Sequence, residues 1–564
     1  MSMPVNPSGV QYSSGAVPIA TPAVSAIRKF YPSNGRVFSP GGVKVITIPL
    51  AAEGQFLDAA GHSFLKFDVS CTGASAANAR AGMSGGGCWG MIKRLRILSA
   101  TGAQLEDIDD YNALHCLLVD MQCHIDHVRT FLKSRCGAGA VPGAGALLSP
   151  TAKTFTLNPV CGLLSQPKYL PLLMTKGGIT IELTLAENKD FLVCMDSVAE
   201  GSTLASAMAV DHDMTYEVTN MEYVAELIDF GVAFNQTFLA AMATVGGALL
   251  SSTTYRTHIG SREGGAAATA AGVSVGNTGH RGITGNGRQV HSISERAKSI
   301  KSILTVLRPL GALNTTDYDS VGYRCSGPIT SYQYRIGSLV YPDAPVQCNF
   351  GEGADAGKGG SVSRNTSEPI SHAYKAIGMS LSDYDHGSLM NDQNFGIAHQ
   401  PLDLVSADGT EDEQAVRAKL KQQEFAVGNL RYAPVSTGAV EAATVSALSS
   451  TALMEEAFER QLGLSPIGAG APNQVLAGIH PFFNKDSDRL SLDRRGTAVF
   501  GVTLESFAKD SSALESGLNS ASQALPIEFV TDGSNNQVAC RVDHFVCCDI
   551  LFMFRPSGDV VSSV

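Results

Sequence analysis

A period of two in the apolar side chains is the pattern that most constrains how this chain folds. In the segment 179–185, isoleucine and leucine alternate with threonine and glutamate. In the segment 65–69, which reads LKFDV, apolar residues likewise alternate with charged ones. The segment 541–555 is longer and has one face that is almost wholly apolar. Successive side chains of a β-strand point to opposite faces of the sheet, so these segments predict half-buried strands. Together with 58 glycines in 564 residues, which suit many turns, the pattern predicts an all-β fold.

Other segments predict further strands and a small number of helices. From Leu105 to Leu132, apolar residues recur every three or four positions, which predicts a helix inserted among the strands. The remaining predicted elements are strands at 91–97, 299–308 and 331–341 and helices at 411–425 and 452–462.

The chain divides into four parts by composition and periodicity. Residues 1–40 are rich in serine, proline, alanine and glycine without a hydrophobic period, which predicts an extended N-terminal arm. Residues 260–292 are rich in glycine, alanine, asparagine and arginine, which predicts a long connection. We therefore expect one β-rich domain at 41–259 and another at 293–564.

A weak internal repeat relates the two β-rich regions. Residues 178–185 read GITIELTL and residues 525–531 read LPIEFVT. A long strand-like segment follows each of them, at 216–230 and at 538–555. The repeat predicts that both halves close with the same pair of strands.

The charge balance argues against a nucleic-acid-binding protein. The chain has 41 lysines and arginines against 52 aspartates and glutamates, so it lacks a basic footprint. Only 16% of the residues are charged and 44% are hydrophobic, which excludes a disordered chain. We expect no sequence-specific nucleic-acid partner.

No targeting or membrane-spanning segment is predicted. The most apolar segment, 238–250, is shorter than the roughly 20 residues that span a bilayer. The 12 cysteines include no Cys-x-x-Cys pair, which favours buried reduced thiols over a disulfide framework. We expect a protein that is soluble and intracellular when made.

Known motifs predict no catalytic or cofactor-binding residue. The glycine-rich segment 351–359 has Glu352 where a P-loop requires glycine and Gly359 where it requires serine or threonine. The Gly-x-Gly pairs at 137–139 and 468–470 lack the third glycine of a dinucleotide site. Since no Gly-x-Ser-x-Gly elbow occurs either, we expect neither enzymatic activity nor a cofactor.

A cluster of potential metal ligands at 115–127 has two interpretations. At helical spacing Asp120, His124 and His127 share one face, and a carboxylate with two imidazoles suits a borderline metal ion. The alternative is a solvated polar stripe, with Cys116 and Cys123 as small buried hydrophobic residues. We favour the stripe and predict no metal-ligating residue.

Two further groups of charged residues are given structural interpretations. The acidic runs 106–110 and 411–413 are typical of the first turns of helices, where carboxylates stabilise the helix dipole. Four arginines suit either phosphate contacts or, as we favour, an exposed segment or subunit contact: Arg256, Arg262, Arg281 and Arg288.

Four segments, in this order along the chain, resemble those of a known family. They are WGMIKRLRILSATGAQLEDIDDYN at 89–112, NMEYVAELIDF at 220–230, ERAKSIKSI at 295–303 and YQYRIGSLVYPDAPV at 332–346. In these segments the chain is similar to the double jelly-roll major capsid proteins of Polinton-like viruses and virophages. The segment 400–480 carries no part of the resemblance.

The resemblance implies a fold and a function. The fold is two consecutive jelly-roll β-sandwiches with a few inserted helices, at 41–259 and 293–564. The function is that of a homotrimer with a pseudo-hexagonal outline that tiles the icosahedral shell of a double-stranded DNA virus. Its partners are then further copies of itself, penton proteins and minor capsid proteins, and its location is the virion. The low charge suits such a subunit, because weakly charged surfaces pack with little desolvation cost.

Two alternatives stay open at this stage. A β-rich spike or fibre protein of a virion has a similar composition. A carbohydrate-binding β-sandwich requires aromatic platforms, which a single tryptophan and 7% aromatic residues disfavour.

Overall fold

The computed structural model describes most of the first β-rich region and less than half of the second. The described residues are 22–51, 54–72, 79–124, 127–138, 147–148, 150–196, 214–259, 261–262, 269–270, 273–274, 281–283, 288–309, 320–322, 324, 329–348, 365–379, 498–505, 517–521, 523, 525–531 and 538–564. The glycine-rich segment 351–359, the acidic run 411–413 and the helices predicted at 411–425 and 452–462 lie outside them.

The first β-sandwich is built from antiparallel strands. They are β1 (Val24–Phe30), β2 (Val37–Phe38), β3 (Val45–Leu50), β4 (Phe56–Asp58), β5 (Phe64–Thr72), β6 (Ala79–Met83), β7 (Ile92–Ser99), β8 (Gln104–Asp109), β9 (Leu147–Leu148), β10 (Lys153–Leu157), β11 (Ile179–Leu185), β12 (Leu192–Asp196) and β13 (Thr215–Asp229).

The strand order of this sandwich is that of a jelly roll. One sheet has the order β1-β13-β5-β10, with β2 and β4 also paired to β13, and the other has the order β3-β11-β7-β8. Without β2 and β4, the two sheets contain eight strands, which can be lettered B to I in chain order. The sheets then read B-I-D-G and C-H-E-F, the two four-stranded sheets of a jelly roll. A small third sheet, β12-β6-β9, lies among the connections.

The second β-sandwich repeats this order. Its strands are β14 (Ala248–Ile259), β15 (Ser261–Arg262), β16 (Thr269–Ala270), β17 (Val273–Ser274), β18 (Arg281–Ile283), β19 (Arg288–Ile293), β20 (Ile300–Pro309), β21 (Ile329–Ile336), β22 (Leu339–Gln347), β23 (Phe500–Thr503), β24 (Leu525–Thr531), β25 (Val538–Phe554) and β26 (Val560–Ser563). Its sheets have the orders β14-β25-β20-β23 and β15-β19-β24-β21-β22. With β19 as strand C and β15 as an additional edge strand, these again give B-I-D-G and C-H-E-F. The chain is therefore a double jelly roll, as predicted.

The predicted repeat is confirmed by this equivalence. The segments at 178–185 and 525–531 correspond to β11 and β24, the H strands of the two jelly rolls. The segments that follow them correspond to β13 and β25, the two I strands. Both H strands lie inside their sheets, and the side chains of β11 alternate between buried and half-buried as their sequence predicts.

The helices lie in the connections between strands. They are α1 (Tyr111–Gln122), α2 (Lys133–Cys136), α3 (Gly162–Ser165), α4 (Asn188–Phe191), α5 (Val232–Val245) and α6 (Ser367–Ala376), with 3-10 turns at Gly87–Met91 and Leu172–Met174 and a π-helical turn at Val128–Leu132. Within the described part of the chain, no helix has both the length and the apolar character needed to cross a membrane.

The helix predicted from Leu105 to Leu132 is wrong at its start. Residues 104–109 form β8, which pairs with β7, and α1 begins only at Tyr111. Leu105 and Ile108 are both buried. Their three-residue spacing fits a helix, but hydrogen bonding to β7 fixes an extended backbone.

Two strands belong to other parts of the fold than the predicted domain boundaries assign them to. Residues 24–30, expected in the N-terminal arm, form β1 on β13, and residues 248–259, expected in the first domain, form β14 on β25 of the second. Six of the seven β1 residues are exposed, so this strand shows no hydrophobic period and is held by backbone pairing. The connection between the two jelly rolls is α5, between β13 and β14.

The two jelly rolls point in the same direction. The C-terminal end of β13 pairs with the start of β1, and the C-terminal end of β25 pairs with the start of β14, so α5 joins corresponding ends of the two sandwiches. We call this the α5 end. The connections 73–91, 110–152, 310–328 and 348–499 all leave from the opposite end.

Candidate functional site

The two jelly rolls meet along β8, at the edge of the C-H-E-F sheet of the first sandwich. Thr257 of β14 donates its hydroxyl to the carbonyl of Asp109 (2.6 Å), and Ser562 of β26 donates to the carbonyl of Gln104 (3.5 Å). The apolar core is continuous through both sandwiches. The interface between the jelly rolls is therefore an internal part of the fold.

Glu106 is the central acceptor of this interface. Its carboxylate is buried and accepts hydrogen bonds from the backbone N–H groups of Gly162 (2.6 Å) and Leu163 (3.1 Å) at the start of α3. It also accepts a hydrogen bond from the hydroxyl of Thr254, which belongs to the second jelly roll. Burial raises the pKa of Glu106, although these hydrogen bonds oppose the rise. The side chain thus ties α3 to β14.

Gly162 allows the backbones of the two sandwiches to approach closely. A Cβ atom at this position would lie 2.8 Å from the carbonyl oxygen of Thr253 and 3.2 Å from the side chain of Ile550. Contacts of Cβ atoms below 3.0 Å are essentially never observed in proteins. Only glycine at position 162 permits the observed spacing.

A network of buried charges extends from Asp110 into the second jelly roll. Asp110 binds Lys93 of its own sandwich and Arg541 of the other. Arg541 Nε also donates to Asp543 (2.6 Å), which lies 3.3 Å from Arg308. Burial alone would raise the pKa of Asp110, but the charges of Lys93 and Arg541 lower it to about 2. The carboxylate of Asp110 is thus ionised and paired with Arg541 across the interface.

A second buried ion pair crosses between the sandwiches. Arg324 donates to Asp120 on α1 over 2.5 Å, and both residues are 1% exposed. Asp120 is therefore buried and does not belong to the solvated polar stripe predicted for this segment. His127 instead stacks on Phe131, with 5.1 Å between the ring centroids.

His115, in the same segment, is part of the core. Its ring stacks on Trp89 with 3.9 Å between centroids. Burial lowers the pKa of His115 to about 3, so the ring is neutral at physiological pH. Cys116 is buried as expected and Cys123 is half-buried.

The other charged residues identified in the sequence have separate positions. The run 106–110 forms the end of β8 and the residue before α1, and Asp110 makes no capping hydrogen bond to the helix, so the assignment of this run to a first helical turn is wrong. Arg288 pairs with Glu528 on the adjacent strand, and Arg256 lies on β14 opposite Val546. Arg262 lies in β15 of one sheet of the second sandwich, and Arg281 lies in β18, which pairs with β25 of the other sheet.

The sequence did not identify the interface charges, because their partners are remote. Asp110 and Arg541 are 431 residues apart. One local signal existed, since Arg541 and Asp543 are charges two residues apart in the largely apolar strand β25. Charges on one face of such a strand indicate a buried polar contact.

A hydrogen-bonded chain of three side chains was also not predicted. Ser294 Oγ lies 3.2 Å from His258 Nδ1, and His258 Nε2 lies 2.6 Å from Glu295 Oε2. Burial raises the pKa of Glu295, but hydrogen bonding to His258 and the charge of Arg256 outweigh burial and lower it. The chain ties β14 to the segment after β19.

The α5 end carries an exposed apolar surface. All 14 residues of α5 are uncharged, and none is buried. Val232 and Val245 are 72% and 78% exposed, respectively. Beneath the helix, a groove of about 530 Å³ is lined by the phenylalanine rings at positions 56, 230, 234 and 238. We call the exposed side chains of Val232, Leu239, Val245, Leu249 and Tyr169 the α5 surface.

The fold is similar to those of known viral proteins. Over 100% of its length, the chain superposes on 93% of a chain in the cryo-EM structure of the Sputnik virophage, with a TM-score of 0.50 and 8% identity. It also aligns with the mavirus major capsid protein (10% identity, TM-score 0.44, covering 100% and 95% of the two chains) and with the Faustovirus major capsid protein (9%, 0.46, 96% and 92%). No protein-family model and no curated protein matches the sequence. At 8% identity, the similarity to the virophage chain concerns the fold alone.

Proposed function

We propose that this chain is a viral major capsid protein. In this proposal it is a structural subunit without enzymatic activity, which trimerises into pseudo-hexameric capsomers and tiles an icosahedral shell around a DNA genome. The observation that carries the proposal is the presence of two complete jelly rolls of identical strand order, pointing in the same direction, in one chain. The similarity in fold to a chain of the Sputnik virophage over the whole length supports it.

The architecture explains why three copies suffice for a hexagonal tile. Each chain contributes two sandwiches of the same topology, so three chains around a three-fold axis place six sandwiches around that axis. Closed cyclic symmetry of this kind is the usual arrangement of homo-oligomers. A hexagonal outline then tiles a surface without large gaps.

The buried charges at the interface suit this function. A tile requires its two sandwiches to keep one fixed relative position, or the outline would not match that of its neighbours. Buried ion pairs such as Asp120 with Arg324 have a narrow range of favourable geometries, because an unpaired buried charge is costly. These buried ion pairs between the sandwiches therefore favour a single relative position of the two jelly rolls.

The α5 surface supports a protein that works in an assembly. Exposed apolar patches on soluble proteins commonly mark sites of association. Contact with a second copy of the chain would bury Val232 and Val245 without desolvating a charge, because α5 carries none. The proposed partners are neighbouring copies, together with penton and minor capsid proteins, and the proposed location is the virion.

Light scattering on the purified full chain, combined with negative-stain electron microscopy, tests the proposal. A trimer has a mass of about 177 kDa, three times 59.1 kDa, and we expect particles of that mass with a hexagonal outline. A stable monomer near 59.1 kDa that forms no larger particles over a range of concentration and salt would contradict the proposal.

A further inference from the structure

Asp58, His62 and Glu226 bring three potential metal ligands together on the outer side of the first jelly roll. Their ligand atoms all lie within 4.8 Å of one another, and Asp58 Oδ2 is 2.8 Å from His62 Nδ1. Asp58 ends β4, Glu226 lies in β13, and His62 lies in the connection between β4 and β5. The cluster is separate from the interface between the two sandwiches.

The pairing of the strands places two like charges opposite each other. In the register of β4 and β13, Asp58 is the direct partner of Glu226. Like charges directly opposite each other on paired strands destabilise a sheet. The arrangement therefore needs a compensating positive charge.

No basic side chain supplies that charge among the described residues. His62 contacts Asp58 but is charged only when protonated, and no lysine or arginine among the described residues pairs with Asp58 or Glu226. Lys29, on the neighbouring strand β1, pairs with Glu222 at 3.0 Å instead. Arg28 lies over the ring of Phe30, 5.3 Å from its centroid. A bound cation would neutralise both carboxylates.

We propose that Asp58, His62 and Glu226 bind a zinc ion. One imidazole and two carboxylates form a ligand set that zinc accepts, with nitrogen and oxygen about 2.0–2.2 Å from the metal. A hard cation such as calcium takes oxygen ligands only, so the histidine favours a borderline ion such as zinc over calcium. His62 is 64% exposed in its side chain, which leaves the remaining coordination position open to water.

The zinc ion would cross-link three segments at the α5 end. It would join the short strand β4 and the residues after it to β13, which also precedes α5. Because the ion binds the folded arrangement, it would stabilise the first jelly roll in proportion to its occupancy. This inference does not depend on the function proposed above.

Titration of the untagged, chelator-treated full chain with zinc chloride, followed by calorimetry, tests the site. We expect one zinc ion per chain at this site and a rise in Tm on its addition. Glu226→Gln and His62→Ala should each weaken binding by more than the 10- to 100-fold typical of losing an outer-shell partner. Glu217→Gln, which removes an exposed carboxylate elsewhere on β13, is the matched control and should bind as the wild type does.

Cobalt(II) provides an independent readout of the ligands. Its visible absorption should show nitrogen and oxygen coordination in the wild type and should change when His62 is removed. Circular dichroism of each variant establishes that it is folded. Zinc affinity that is unaffected by both substitutions, or the absence of zinc binding by the wild type, would overturn the proposal.

Discussion

Arg324 donates a hydrogen bond to Asp120 over 2.5 Å across the boundary between the two jelly rolls, although the residues are 204 positions apart. Both side chains are at most 2% exposed. Since each ion lies almost out of reach of water, each depends on the other for compensation of its charge.

Replacing one partner of this pair should therefore destabilise the protein strongly. For Asp120→Ala, which leaves the arginine buried and unpaired, we expect a loss of about 3–5 kcal/mol in the free energy of unfolding. Urea-induced unfolding followed by fluorescence gives the value. The control is Glu187→Gln in the exposed pair with Lys44, which should cost less than about 1 kcal/mol. Equal losses in the two variants would show that the buried pair is not special.

Gly162→Ala should loosen the contact between the jelly rolls. The added Cβ would meet the Thr253 carbonyl at 2.8 Å, so the backbone of one sandwich must shift. We expect a loss of about 1–3 kcal/mol, as for other overpacked sites. Gly41→Ala is the control, because a Cβ added there would have no atom within 4 Å and the backbone of Gly41 is not left-handed. A stability equal to that of the control would contradict the close approach.

His115 should make the protein less stable as the pH falls below about 6.5. Its pKa is about 3 in the folded chain against 6.5 ordinarily, so the unfolded chain binds one more proton between these values. The free energy of unfolding should then fall by up to about 1.4 kcal/mol per pH unit on acidification.

His115→Phe, which retains an aromatic ring against Trp89, should remove this contribution. Urea unfolding between pH 4.5 and 7 measures the slope for the variant and the wild type. His127→Gln, at an exposed position, should keep the slope of the wild type. A slope unchanged by His115→Phe would show that another group is responsible.

Charges on the α5 surface should reduce association of the chain. In the double variant Val232→Lys and Val245→Lys, two side chains that are 72% and 78% exposed become cationic, and burying them in a contact becomes costly. We expect fewer large particles by light scattering, with an unchanged circular dichroism spectrum. Val43→Lys, at a 45% exposed position before β3, is the control. Normal assembly of the double variant would exclude this surface from the contacts between copies.

The sequence predicted the strands that bury one face and the equivalence of the two halves. In β11 the alternation of side chains matches the alternation of burial, because one face of the strand contacts the core. β1 was missed for the opposite reason, since six of its seven residues are exposed and only the backbone is paired. The start of the predicted helix at Leu105 failed because pairing with β7 overrides a weak helical spacing.

The contacts between the sandwiches were beyond prediction from local patterns. Glu106 looked like a residue of a first helical turn, but its partners Gly162 and Thr254 lie 56 and 148 residues away. The cluster of Asp58, His62 and Glu226 has the same origin, because the register of β4 with β13 brings together positions that the sequence keeps apart. Such contacts depend on tertiary pairing, which no single segment encodes.

The network around β8 also bears on the order in which the protein matures during synthesis. Domains generally fold in N-terminal to C-terminal order as a chain emerges from the ribosome. The first jelly roll has all its strands once β13 is made, but Asp110 then still lacks Arg541, which is translated 431 residues later. Until β25 is translated, Asp110 of the nascent first sandwich therefore has Lys93 but not Arg541 as a partner, so this part of the interface is completed late in synthesis.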